Sequence, residues 1–72
     1  MRKGRQAMPR RFNALDVVRD LEIHGKFYVV AWSREKLAQV KAVWDERNPA
    51  HEIYFKGTKG ENFTGVIAWR ER

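Results

Sequence analysis

Apolar positions change their spacing twice along this chain. Between Lys26 and Trp32, Phe27, Val29 and Ala31 alternate with Tyr28, Val30 and Trp32, so both faces of an extended segment are apolar. The β-branched and aromatic residues favour a strand, and a strand apolar on both sides is usually central or has one face covered by a partner. The spacing then lengthens. Leu37, Val40, Val43 and Trp44 recur at helical intervals, with Glu35, Gln39, Ala42 and Glu46 opposite them. This predicts a helix from about Arg34 to Arg47, capped by Ser33 and favoured by Glu35 near its positive end. Asn48-Pro49 stops it, because the residue before proline avoids the helical region. From Ala50 the period returns to two: His51, Ile53 and Phe55 alternate with Glu52, Tyr54 and Lys56. Gly57-Thr58-Lys59-Gly60 supplies turn chemistry, and a last strand runs from about Asn62 to Arg70. On that strand Phe63, Gly65, Ile67 and Trp69 share one face, while Thr64, Val66, Ala68 and Arg70 share the other.

The segment Phe12 to Ile23 fits two patterns. As a helix it places Ala14, Val17, Val18 and Leu21 on one stripe, with Asn13 as cap and Gly25 as stop. As a strand it alternates Val17, Leu21 and Ile23 with Asp16, Asp20 and Glu22, and His24-Gly25 becomes a hairpin turn into Lys26. The turn chemistry beside a strong following strand favours the hairpin. The expectation is an α+β domain: a small antiparallel or mixed sheet of three to four strands, one principal helix packed on one face, order ββαββ, with αβαββ as the alternative. The helix stripe should meet Phe27, Val29, Ile53, Phe55, Phe63 and Ile67. Tyr28, Trp32 and Tyr54 should then lie on the opposite face, with Val30 and Val66.

Charge divides the chain differently. Arg2, Lys3, Arg5, Arg10 and Arg11 precede any acidic residue, and from Phe12 onward ten Lys/Arg stand against nine Asp/Glu, within a total of +6. Residues 1–11 therefore read as a disordered basic arm, and residues 12–72 as a single small domain of near-neutral sum. A nucleic-acid-binding domain usually carries its charge on the folded face; here the leader carries it. The plain alternative is a terminus without a role. Cysteine is absent, which excludes disulfides and thiolate metal sites and suits a reducing compartment. With no apolar run near the length of a membrane helix and no visible secretory signal, a cytoplasmic protein without a membrane partner is expected.

Little in the sequence suggests catalysis. His24 and His51 are the only histidines, and no further ligand stands at metal-binding spacing, so neither a metal nor a cofactor is expected. His24 reads as a turn residue and His51 as a strand start. Ser33, the single serine, is accounted for as a helix cap. Gly57, Gly60 and Gly65 belong to a hairpin and not to a phosphate-cradling loop. Tyr28, Trp32 and Tyr54 form a candidate contact face, as stacking platforms for unpaired bases or as anchors for a protein; the plain alternative is that they pack internally. The stretch Gly25-Lys26-Phe27-Tyr28-Val29-Val30-Ala31-Trp32 departs from the aromatic strand of RNA-recognition motifs: Gly and Lys are reversed and Tyr28 stands at a small-residue position.

The expected function is that of a non-enzymatic, regulatory binding module. It would act on nucleic acid, DNA or RNA, or on the machinery that handles it, with Arg2, Lys3, Arg5, Arg10 and Arg11 contacting phosphates. The alternative is a regulator that binds a protein of the transcription or translation machinery, such as RNA polymerase. In size and layout the chain resembles small phage-encoded regulators of host transcription, an analogy of class that rests on no motif.

Overall fold

The computed structural model describes residues 11–72; Arg2, Lys3, Arg5 and Arg10 of the expected arm lie outside them. The described order is α1 (Ala14–His24), β1 (Lys26–Ser33), α2 (Arg34–Arg47), β2 (His51–Gly57) and β3 (Asn62–Glu71). The class is α+β, and the order is αβαββ, so the favoured ββαββ is corrected to its alternative.

The correction concerns α1, and its cause is capping together with burial. Asn13 stays extended at φ −140°, and its Oδ1 accepts from the Leu15 amide at 2.9 Å and the Asp16 amide at 3.4 Å. At the other end Gly25 takes φ 81°, a conformation glycine adopts without a Cβ penalty, and its amide donates to the Leu21 carbonyl at 2.8 Å. His24-Gly25 is therefore a helix stop. A strand with Val17 and Leu21 inward would turn Val18 outward, whereas Val18 is fully buried with Val17 and Leu21.

The helix α2 has the expected bounds. Ser33 Oγ accepts from the Lys36 amide at 3.3 Å, and the Asn48 amide closes the last turn on the Trp44 carbonyl at 2.7 Å. Leu37, Val40 and Trp44 are buried and Val43 is half-buried. The sheet is antiparallel in the order β1-β3-β2. Thus β3 is central and β1 is an edge strand, so of the two situations expected for Lys26–Trp32, central or covered by a partner, the central one does not hold. The two helices pack on one face only. Val29, Ile53, Phe63 and Ile67 join the helix residues in the buried cluster, with Phe27 and Phe55 packed against it.

Two indoles tie the layers together by using their single donor. Trp44, 1% exposed, donates from Nε1 to the His51 carbonyl at 3.1 Å, and Trp69 donates to the Leu21 carbonyl at 3.1 Å. Their ring centroids stand 5.8 Å apart. Where the hairpin narrows, Gly57 faces Gly65 across the strands, and a Cβ on Gly65 would collide with the Lys56 carbonyl oxygen.

A polar clamp joins the C-terminal ends of the helices. The Glu22 carboxylate accepts from Arg47 Nε at 3.0 Å, Arg47 Nη2 at 2.9 Å and Asn48 Nδ2 at 2.9 Å. The Arg47 hydrogen bonds, then that of Asn48, hold the Glu22 pKa below its ordinary value. A carboxyl with a lowered native pKa stabilises the fold fully at neutral pH and loses that contribution as pH falls from the ordinary glutamate range through the native value.

Two measurements check this architecture. Trp44→Ala should cost about 3–5 kcal/mol by denaturant titration, enough to unfold a domain of marginal stability; a folded, cooperative variant would contradict the burial of the α2 stripe. Glu22→Gln should lower the melting temperature at neutral pH, with the difference from the parent narrowing as pH is taken to about 3. A pH-independent difference would mean that the clamp carboxylate is not the cause.

Candidate functional site

The side of the sheet away from the helices has no cover among the described residues, and strand register decides what it displays. Tyr28 of β1 pairs with Val66 of β3, which pairs in turn with Lys56 of β2. In the next row on the same face Lys26 pairs with Ala68, which pairs with Tyr54. The two rows are thus tyrosine–apolar–lysine and lysine–apolar–tyrosine, a diagonal arrangement about the small centre Val66/Ala68. Tyr28 is 67% exposed and Tyr54 is half-buried. From the strand spacing and rise, their Cα atoms are roughly 12 Å apart.

Each ring carries a cation. Lys26 Nζ lies 5.7 Å from the Tyr28 ring centroid, and the Arg70 guanidinium carbon lies 5.1 Å from that of Tyr54. Arg70 Nε also donates to Glu52 at 3.1 Å. Lys26 and Lys56 have no carboxylate partner among the described residues. Among the described residues the face therefore presents Lys26, Lys56 and Arg70 against the single carboxylate of Glu52. The body is near-neutral in sum but not in distribution.

Trp32 is not on this face. Between Val29 and Trp32 the register with β3 shifts: Val29 pairs with Gly65 and Trp32 with Phe63, so β1 contains one residue more than β3. This is a bulge. At its centre Ala31 takes φ 55°, and its amide donates to Thr64 Oγ1 at 2.9 Å. The extra residue turns Trp32 toward the helices, where its ring centroid lies 5.1 Å from Phe12 and 5.6 Å from Phe27. The expected face of Tyr28, Trp32 and Tyr54 is corrected accordingly: the two tyrosines share it, and the tryptophan packs behind.

Of the expected cationic set, Arg11 alone is described. It is exposed and lines an open cleft of about 310 Å³ between α1, β1 and α2, which Phe12, Asp16, Asp20, Trp32 and Lys36 also line. Residues expected to serve two separate features, Arg11 and Trp32, thus meet in one place. The cleft mixes both signs of charge. His24 closes α1 beside its glycine cap, and His51 opens β2 with its ring centroid 4.6 Å from that of Trp69. No group of three or more His, Asp or Glu side chains that could hold a metal ion occurs among the described residues, nor is any helix there long and apolar enough to cross a membrane.

Sequence reasoning missed Lys26, Lys56 and Arg70 as members of the face. Period-two alternation already placed Lys26 beside Tyr28 and Lys56 beside Tyr54; what it lacked was the pairing of the strands. Comparison of the chain with protein-family models, with curated proteins and with solved structures gives no match.

The bulge makes its own prediction. A left-handed φ disfavours any side chain and a β-branched one most. Ala31→Gly should melt at the parental temperature or higher, and Ala31→Val should be about 1–3 kcal/mol less stable than the glycine variant. Equal stabilities would show that position 31 does not hold the strained conformation.

Proposed function

We propose that this chain is a small non-enzymatic module that binds nucleic acid, using the open sheet face together with its cationic N-terminal segment. The observation that carries this reading is the composition of the face: two tyrosines, each under a cation, with Lys26 and Lys56 unopposed by carboxylates among the described residues. Aromatic platforms interleaved with cations suit a polyanion whose bases have π-faces. The arginines and lysine of residues 2–11 add five positive charges adjacent in sequence to α1. Their role in this reading is attraction to phosphate, which is independent of base sequence and sensitive to salt. A regulatory task fits such a module, because it occupies a site and performs no reaction there.

A second reading has one observation in its favour. Val30 is 77% exposed beside Tyr28 on an edge strand, a combination that suits docking against a protein of the nucleic-acid machinery, such as RNA polymerase. Pull-down after nuclease treatment separates the two readings, since only the second keeps its partner.

The decisive measurement for the first is a gel-shift titration over salt. Neutralising Arg2, Lys3, Arg5, Arg10 and Arg11 should weaken binding and reduce the log K against log salt slope on duplex DNA by at most about 4.5. The far-UV circular dichroism should stay that of the parent. Unchanged affinity and slope would remove the cationic segment from the mechanism, and an absence of binding by the parent chain would overturn the reading as a whole.

A further inference from the structure

From the geometry of the open face we infer that it takes unpaired bases, so that the chain prefers single-stranded nucleic acid to a duplex; this rests on the nucleic-acid reading above and narrows its ligand. Three observations lead there. First, Tyr28 projects from an edge strand and is largely exposed, so its ring is available to a flat partner. Second, Tyr28 and Tyr54 occupy opposite corners of the two rows, with Val66 and Ala68 between them. Third, each ring has a cation of its own, Lys26 for Tyr28 and Arg70 for Tyr54.

The spacing rules against a duplex as the ligand of both rings. Successive bases of one duplex strand are stacked at about 3.4 Å, their faces covered by neighbours. Two platforms roughly 12 Å apart require bases that have left the stack and splayed. A single strand supplies them. Its backbone can cross the shallow apolar centre diagonally, with one base on each tyrosine and phosphates toward Lys26 and Lys56. Stacking is tolerant of base identity, because every base has a π-face. The face offers Glu52 as its one carboxylate, and that group is held by Arg70, so weak base selectivity follows.

The cations favour this ligand over an apolar peptide. A peptide docked on Tyr28 and Val30 would gain from apolar contact, but it would leave Lys26 and Lys56 without counter-charges unless it were itself acidic. Nucleic acid answers the rings and the lysines together.

The test uses the full chain and fluorescence anisotropy at one fixed salt concentration, with labelled oligo-dT, oligo-U and a DNA duplex of equal length. The single strands should bind more tightly than the duplex. Tyr28→Ala and Tyr54→Ala should each weaken single-strand binding by roughly 5- to 150-fold while duplex affinity stays within about twofold, set by phosphate contacts alone. Tyr28→Phe and Tyr54→Phe should restore most of the loss, since the ring and not the hydroxyl stacks. Tyr28 is exposed, so its variants give an answer even where Tyr54→Ala perturbs folding. Equal binding of single strand and duplex, unchanged by the tyrosine variants, would overturn the inference and leave the phosphate-based reading standing. Failure of the parent to bind any of the three probes would overturn both. If a protein partner survives nuclease treatment and is lost with Tyr28→Ala, while oligonucleotide affinity is unaltered, the face docks protein and the inference falls.

Discussion

The alternation along β3 is the constraint on which the structure depends. This strand is hydrogen-bonded on both edges, to β1 and to β2, so its register sets the position of every residue in the sheet. Phe63, Ile67 and Trp69 point to the helices; Thr64, Val66, Ala68 and Arg70 point away. The helices span Ala14–His24 and Arg34–Arg47, and they pack against a single side. What covers the core and what leaves the other face open are therefore one fact. The indoles of Trp44 and Trp69 reinforce it, because each spends its donor on a backbone carbonyl of another element. Shifting β3 by one residue would exchange Ile67 for Val66 at the centre of the core and break the Trp69 contact with α1.

Much of this was legible in the sequence where the signal is local. The bounds of α2 follow from Ser33, the stripe Leu37–Trp44 and Asn48-Pro49, all within one short stretch. The β2–β3 hairpin follows from period-two spacing around a glycine-rich turn. The segment before β1 was ambiguous because Val17 and Leu21 serve either period; Val18, buried, and Ile23, 73% exposed, separate them. The tryptophan of β1 was not legible. Its direction depends on the bulge at Ala31, which is held by Thr64, 33 positions away in sequence. The three cations of the open face were legible strand by strand, and their convergence was not, since pairing is a property of the sheet. The cationic run from Arg2 to Arg10 remains a reading of composition, outside the described residues.

Charge is arranged more sharply than its sum suggests. Asp16 and Asp20 of α1 line a cleft that Arg11 and Lys36 also line, whereas Lys26, Lys56 and Arg70 gather on the far side of the sheet with Glu52. The helix side carries both signs, with Arg11, Arg19 and Lys36 near Asp16 and Asp20, so what distinguishes the two sides is the excess of cations on the open face. At physiological salt, where screening acts over about 8 Å, an approaching polyanion would sense chiefly the nearer side. Orientation on encounter can thus come from the body itself, with the cationic segment adding reach.

The one-sided sheet has a consequence for how this protein can change over generations. Neighbouring codons in β3 answer to different pressures. Phe63, Ile67 and Trp69 are held by packing on the helices, Thr64 by its bond to the bulge and Ala68 by its burial. Val66 and Arg70 on the open face can be replaced with little disturbance of the interior. Specificity can then drift on the outer positions with little penalty in folding. Descendants of this chain would be expected to diverge in what they grip well before they diverge in shape.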